Sequence, residues 1–335
     1  MTLCTAWIKK EGNNEELVFA TDSTLTGGEK WNSGVKLFEL PRKDCLICFA
    51  GYTIRAYPMI LNLISELKTK SEMQTHHLDI KFVAAFIAEL FTNLIKNLKA
   101  EVQNETVEDL AKQASFLFGG WSWQENRFCI WSIKFNDTLK GFAAKEETTE
   151  KDNYRIVVFL GNPDELGTKA EKLYQKQMIE TGKFDKYLNM EPAVILAELA
   201  KDESVREIDG APQIGKVFRS GTTQFFGIRW KSSKGNPTFL GREYNEINKP
   251  QVRYFNPDTF ELAEEELPLK VEDINEFATF DDFEFISKCY YQEEGDTIYY
   301  LRDNLEDIER QKLIKLFADK TYLSFLSIYN SEKNG

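Results

Sequence analysis

Two stretches near the start of the chain, MTLCTAW (1–7) and VFATDSTLTGG (18–28), decide how the fold is read. Each is a short run of residues that favour extended backbone. KKEGNNEE (9–16) between them is turn chemistry, so residues 3–9 and 17–22 are expected as two strands. Working outward, GVKLFEL (34–40) and CLICFAG (45–51) form a second pair, punctuated by Pro41 and the charged Arg42, Lys43 and Asp44. After Gly51 the period changes. Ile54, Tyr57, Leu61, Ile64 and Leu67 recur at helical spacing, with Pro58 placed in a tolerant first turn. A longer helix follows SEMQTHH, and Phe82, Val83, Phe86, Ile87, Leu90, Leu94 and Leu98 are expected to form its wide buried stripe.

Strands return in ASFLFGGWSW (114–123), FCIWSIKF (128–135), LKGFAAKE (139–146) and YRIVVFLG (154–161). Helices are expected near 165–180 and 191–202, then strands at IGKVFRSG (214–221) and TQFFGIRW (223–230). KSSKGNP (231–237) reads as a boundary, followed by short aromatic strands and a terminal helix from Leu305 to Ala318. Strands and helices segregated in this way predict an α+β fold of two packed sheets with helices outside. The expected division is a domain over 2–230 and an acidic C-terminal α+β extension over 231–335.

Composition narrows the function. A net charge of −12 over 335 residues opposes nucleic-acid binding, which needs a basic face. From Asp258 to Asp296 only Lys270 and Lys288 oppose the acidic residues, a run expected to be a solvated face. No apolar run approaches the roughly 20 residues that span a bilayer, and the start lacks a signal sequence. The five scattered cysteines fit reduced thiols in the cytoplasm. Only His76 and His77 are available for imidazole chemistry. Cys45 and Cys48 in CLIC belong on opposite faces of a strand, which defeats a metal or redox pair. FGGW (118–121) has too few glycines for a phosphate loop, and GNPDELG (161–167) reads as a strand end entering a helix near Asp164. No cofactor or metal is expected.

The beginning of the chain offers chemistry of another kind. A threonine with a free α-amine can be its own catalyst, because the hydroxyl attacks while an amine of pKa about 7.7–8.0 accepts its proton. Such a pair needs a carboxylate, a lysine and a main-chain N–H aimed at the developing oxyanion. Thr2 opens the first strand, Asp22 ends the second, Lys36 lies on the next, and Gly51 stands at a strand-to-helix turn. Cys4 is the rival nucleophile. It alternates onto the same face as Thr2, but it would need cleavage after Leu3; Thr5 ranks behind it.

MT followed by a strand, then ATDSTLTGG, GVKLFEL and CFAGYTIRAYPMIL, resembles the amino-terminal half of proteasome β-type peptidases. The MTxC opening is most similar to the bacterial proteasome-related group called Anbu. These are N-terminal nucleophile (Ntn) hydrolases. The resemblance spans residues 2–230 in element order and is motif-specific over 2–57. It implies a four-layer αββα sandwich with Thr2 as nucleophile once Met1 is removed, Asp22 and Lys36 in support, and Gly51 as oxyanion donor. It also implies a peptide or amide substrate, a homo-oligomer in a ring or helical stack, and an ATPase unfoldase as a possible partner. Two positions depart from the pattern. Asn162 stands where serine is expected, and REIDGAPQIG replaces an aspartate–serine segment. There Asp209 either supplies the carboxylate or takes the serine's place, with Glu207 another candidate. The departures leave two alternatives: a weak or inert proteasome-like scaffold or assembly subunit, and a cysteine amidase using Cys4.

Overall fold

A computed structural model describes residues 2–26, 29–74, 78–100, 105–148, 155–162, 164–183, 187–202, 204–205, 208–246 and 248–263. Beyond these it describes 285, 288–291, 300–302, 304–306, 308–310, 312 and 313. The chain divides into two compact units, Met1–Glu266 and Leu267–Gly335.

The first unit opens with β1 (Thr2–Glu11) and β2 (Asn14–Thr21), antiparallel in a register running from Cys4–Thr21 to Glu11–Asn14. Their turn uses Gly12 at φ +60°, a backbone conformation that costs glycine little. A two-residue ladder of β3 (Leu25–Thr26) and β4 (Lys30–Trp31) precedes β5 (Leu37–Glu39) and β6 (Cys45–Gly51). The helices α1 (Thr53–Thr69), α2 (Ser71–Gln74), α3 (Ile80–Ile95) and α4 (Val107–Lys112) follow. Next come β7 (Ala114–Ser122), β8 (Arg127–Asn136), β9 (Gly141–Glu146) and β10 (Val157–Asn162). Helices α5 (Asp164–Glu180) and α6 (Glu191–Lys201) lead to β11 (Gln213–Phe218) and β12 (Thr222–Trp230). The last strands of the unit are β13 (Asn236–Phe239), β14 (Arg242–Glu243) and β15 (Tyr254–Phe255).

Two largely antiparallel sheets result. One runs β10-β1-β2-β11-β12-β13-β14, with β15 added parallel to β12; the other runs β5-β6-β7-β8-β9. Strand alternation sorts β1 between two cores. Leu3 and Trp7 join Leu166, Ala170, Ile195 and Leu196 of α5 and α6. Cys4, Ala6 and Ile8 join Leu46, Cys48, Leu117 and Ile130 of the other sheet. The opposite face of that second sheet packs with α1 and α3 through Phe49, Phe116, Ile60 and Ile87. Each such side chain contributes roughly 1.5–3 kcal/mol on burial, enough in aggregate to hold polar groups out of water. Thr2, in phase with Cys4, lies on the face turned toward the second sheet. Cys45 and Cys48 fall in different cores, as their spacing requires.

The helical spacing in α1 and α3 is as the sequence reads. Leu67, Val83 and Ile87 are buried as expected, and Tyr57, Ile64, Phe86, Leu90 and Leu94 pack partly buried against the same core, but the centre of each stripe is shifted. The buried positions of α1 are Ala56, Met59, Ile60, Leu63 and Leu67, while Ile54 is 69% and Leu61 58% exposed. In α3 the buried side is Ile80, Val83, Ala84, Ile87, Ala88, Phe91 and Ile95, with Phe82 turned outward. Both helices carry more apolar residues than one face holds, so the sheet they pack on decides which are buried. Pro58 sits in the second turn of α1, where it leaves the Ile54 carbonyl without its usual donor.

The first sheet also continues past the boundary read at 231. β13 pairs with β12 (Ile228–Thr238) and β14 with β13, and these partners keep residues 231–263 in the first unit. The glycines of FGGW are packing residues inside β7: a Cβ on Gly119 would lie 2.7 Å from the Cys129 carbonyl oxygen, and one on Gly120 2.6 Å from that of Asp44. In the second unit β16 (Tyr290–Tyr291) and β17 (Tyr300–Leu301) pair antiparallel. Residues 308–310 and 312–313 are helical. Residues 314–318 of the expected terminal helix, most of the acidic run, and His76 and His77 lie outside the described residues.

Candidate functional site

Asp22 is placed by the end of the first hairpin. Its N–H donates to the Leu3 carbonyl at 3.2 Å, and its carboxylate accepts from the N–H groups of Leu3 and Thr24, both at 3.1 Å. The carboxylate thus grips the peptide group that follows Thr2. Lys36 arrives from the far end of a loop that Asn32 closes. Ser23 Oγ donates to the Asn32 carbonyl and Thr24 Oγ1 to Asn32 Oδ1, each at 3.0 Å, and Gly34 N–H donates to the Ser23 carbonyl at 2.9 Å. The Lys36 ammonium then donates to Asp22 Oδ2 at 2.8 Å and to Thr2 Oγ1 at 2.9 Å. Thr2 is 1% exposed, and Asp22 and Lys36 are fully buried.

Burial dominates the electrostatics. It pushes the Asp22 carboxyl above its ordinary pKa, with the Lys36 charge and the hydrogen bonds pulling back. It also pulls the Lys36 ammonium below its ordinary value, opposed by Asp22. Desolvation offsets much of the attraction within a buried pair of this kind, so its net contribution to stability is small. An ammonium donating to a hydroxyl oxygen stabilises the alkoxide of that hydroxyl. It also leaves the hydroxyl proton free to face another base.

Gly51 ends β6 opposite Ala114, and Tyr52 N–H donates to the Gln113 carbonyl at 2.9 Å. Alternation along the ladder therefore turns the Gly51 N–H away from β7. Continuing the Leu37–Cys48 register of β5 and β6 leads from Gly51 toward Gly34, close to Lys36. Only glycine fits at 51: φ is +123°, and an added Cβ would lie 2.0 Å from the Gln113 carbonyl oxygen. Asn162 stands directly opposite Thr2 in the β1–β10 ladder, and a tight crossing at Gly161 and Gly167 holds that strand end against α5. The side chain of Asn162, and Glu207 entirely, lie outside the described residues.

Asp209 is not joined to the trio. Its Oδ2 accepts from Lys30 Nζ at 2.6 Å and from Asn32 Nδ2 at 3.4 Å, and its Oδ1 from the Gly210 N–H at 2.6 Å. Burial raises its pKa, but the Lys30 and Gly210 hydrogen bonds outweigh that and hold it below the usual carboxylate range. Asp209 fastens the loop whose far end carries Lys36, and it borders a cleft of about 430 Å³ with Ser33, Trp230, Lys231 and Arg242. Cys4 is fully buried, with Sγ 3.6 Å from the Leu160 carbonyl. Burial, Cys48 and Asp22 push its thiol well up, Lys36 opposing, so a thiolate there is disfavoured.

Sequence reasoning missed Gln213. Its Oε1 accepts from the N–H groups of Lys36 at 3.0 Å and Leu37 at 3.2 Å, and its Nε2 donates to the Gly34 carbonyl at 2.6 Å. Nothing local in PQIG announces these contacts, which join residues 176–179 positions apart. Among the described residues, Glu125, Cys129 and Glu146 place ligand atoms within 4.8 Å of one another. Arg127 lies on both carboxylates and already supplies the countercharge there.

No helix among the described residues is long and apolar enough to cross a membrane. No family model and no curated protein matches the chain. Among solved structures it is similar to Anbu (ancestral beta-subunit) from Yersinia bercovieri, at 14% identity and a TM-score of 0.43, over 67% of this chain and 86% of that one.

Proposed function

We propose that the chain is a threonine-type Ntn hydrolase with an αββα arrangement, acting on a peptide or amide carbonyl. The observation that carries this reading is the buried Lys36 ammonium, 2.9 Å from Thr2 Oγ1 and 2.8 Å from Asp22 Oδ2. With Met1 removed, the Thr2 amine takes the hydroxyl proton as Oγ1 attacks the carbonyl carbon. The ammonium stabilises the forming alkoxide, and the Gly51 N–H receives the oxyanion. Collapse of the tetrahedral adduct expels the amine, which leaves with that proton, and an ester on Thr2 remains. Water then attacks the ester, giving a proton to the Thr2 amine; the acyl–Oγ1 bond breaks, the carboxylic acid leaves, and the amine returns the proton to Oγ1 to restore the hydroxyl. Peptides are favoured over small amides by the resemblance of residues 2–57. In the same reading the protein works in the cytoplasm as a ring or helical homo-oligomer, with an ATPase unfoldase as a candidate partner.

Intact mass followed by labelling with an electrophilic β-lactone or epoxyketone tests this. The expected result is loss of Met1 and a single adduct mapped to Thr2. Protein that lacks Met1 yet stays unlabelled supports a second reading, a scaffold or assembly subunit. That reading is favoured by the Asp209 carboxylate, which is engaged with Lys30 and Asn32. A label on Cys4 instead supports a cysteine amidase.

A further inference from the structure

Lys36 precedes β5, so no strand ladder fixes the segment that delivers its ammonium. Side chains do: the three hydrogen bonds of Gln213 seize Gly34, Lys36 and Leu37 together, while Tyr57 Oη donates to the intervening Val35 carbonyl at 2.8 Å. Gln213 is fully buried on β11, and its main chain pairs with Thr21, the residue before Asp22. A single residue therefore bridges the strand end bearing the carboxylate and the segment bearing the ammonium. The amide has one workable orientation, because its oxygen must face two donors and its nitrogen a carbonyl.

The strands beyond residue 230 reinforce it from outside. Gly241, at φ +81° between β13 and β14, packs so closely that a Cβ there would lie 3.3 Å from Gln213 Nε2 and 2.4 Å from Ser23 Cβ. A core residue with no task beyond filling space would be apolar here, since burying an amide costs free energy unless its hydrogen bonds are made.

We propose that Gln213 is a positioning residue that sets the Lys36 ammonium between Asp22 and Thr2, an assignment that rests on the proposed role of Lys36 in hydrolysis. Q213M keeps the volume and removes all three hydrogen bonds. Q213E keeps an acceptor for the Lys36 and Leu37 N–H groups. A buried ammonium bonded on two sides exchanges its protons slowly, so 15N-lysine spectra of the full chain should show a protected Nζ signal. Its absence in K36M assigns it to Lys36.

The expected result is that Q213M loses the protected signal and labels Thr2 with a β-lactone about tenfold more slowly, the scale of one or two hydrogen bonds. Q213E keeps the acceptor but turns an oxygen toward the Gly34 carbonyl, so it is expected to weaken both, by less than Q213M does. A protected signal that persists in Q213M overturns the proposal, whatever the probe does. Wild-type protein inert to the probe, with the signal still lost in Q213M, refutes the nucleophile reading and leaves the positioning of Lys36 standing. Should Q213M fail to fold, Q213E decides: a signal weakened relative to wild type supports the proposal, and an unchanged one overturns it.

Discussion

Replacing Lys36 with methionine leaves the Asp22 carboxylate buried with two main-chain donors, the N–H groups of Leu3 and Thr24. The carboxylate escapes only by taking a proton. Against an unfolded pKa of about 3.9, neutralisation costs about 5 kcal/mol at pH 7.5 but only about 1.5 at pH 5. Burial already raises the Asp22 pKa and Lys36 restrains it, so removing Lys36 raises it further. A folded pKa above the unfolded one means that stability is lost as pH rises between the two. K36M should therefore fall away from wild type by up to about 1.4 kcal/mol per pH unit, levelling off above the folded pKa.

D22N should do the reverse. The stranded Lys36, whose pKa burial already lowers, sheds its proton at a cost of about 4 kcal/mol at pH 7.5 and about 2 at pH 9, from an unfolded pKa of about 10.4. Its deficit therefore shrinks as pH rises. The double variant D22N/K36M buries neither charge and should lie within about 2 kcal/mol of wild type, well short of the summed single losses. Urea denaturation followed by tryptophan fluorescence from pH 5.5 to 9 reads all four proteins. Parallel pH dependences for the two single variants, or losses below about 1 kcal/mol at pH 7.5, would refute a buried and coupled pair.

Other outcomes follow from single contacts. G51A forces a Cβ into the Gln113 carbonyl at a positive φ, so it should lose more than about 2 kcal/mol, and a wild-type melting temperature would contradict the geometry. D209N keeps an oxygen for the Gly210 N–H and loses the part-exposed contacts of Oδ2 with Lys30 and Asn32, so its stability should change by no more than about 1 kcal/mol in the same denaturation assay. Burial pushes up the thiols of Cys4, Cys45 and Cys129, the last to about 12, so Ellman's reagent at pH 8 should leave all three unmodified in native protein. Rapid modification of Cys4 would reopen the cysteine alternative.

Where a signal is local, the sequence alone determined the outcome. The hairpin of β1 and β2 follows from two extended runs around Gly12, and the passage from CLICFAG into α1 follows from a change of period at Gly51. The order Thr2, Asp22, Lys36 is legible because each residue ends or begins an element, where side chains escape the ladder and can converge. Tertiary structure decided the rest. The phase of α1 and α3 was ambiguous because both carry apolar residues around more than one face, and only the sheet beneath selects Ile60 over Leu61, or Val83 over Phe82. KSSKGNP reads as a boundary because turn chemistry ends a strand without revealing that the next one, β13, returns to the same sheet. The partners of Gln213 and Asp209 depend on contacts spanning about half the chain, and no spacing rule reaches so far: hydrogen bonds select by distance in space, and sequence separation carries no information about that until the sheets have closed.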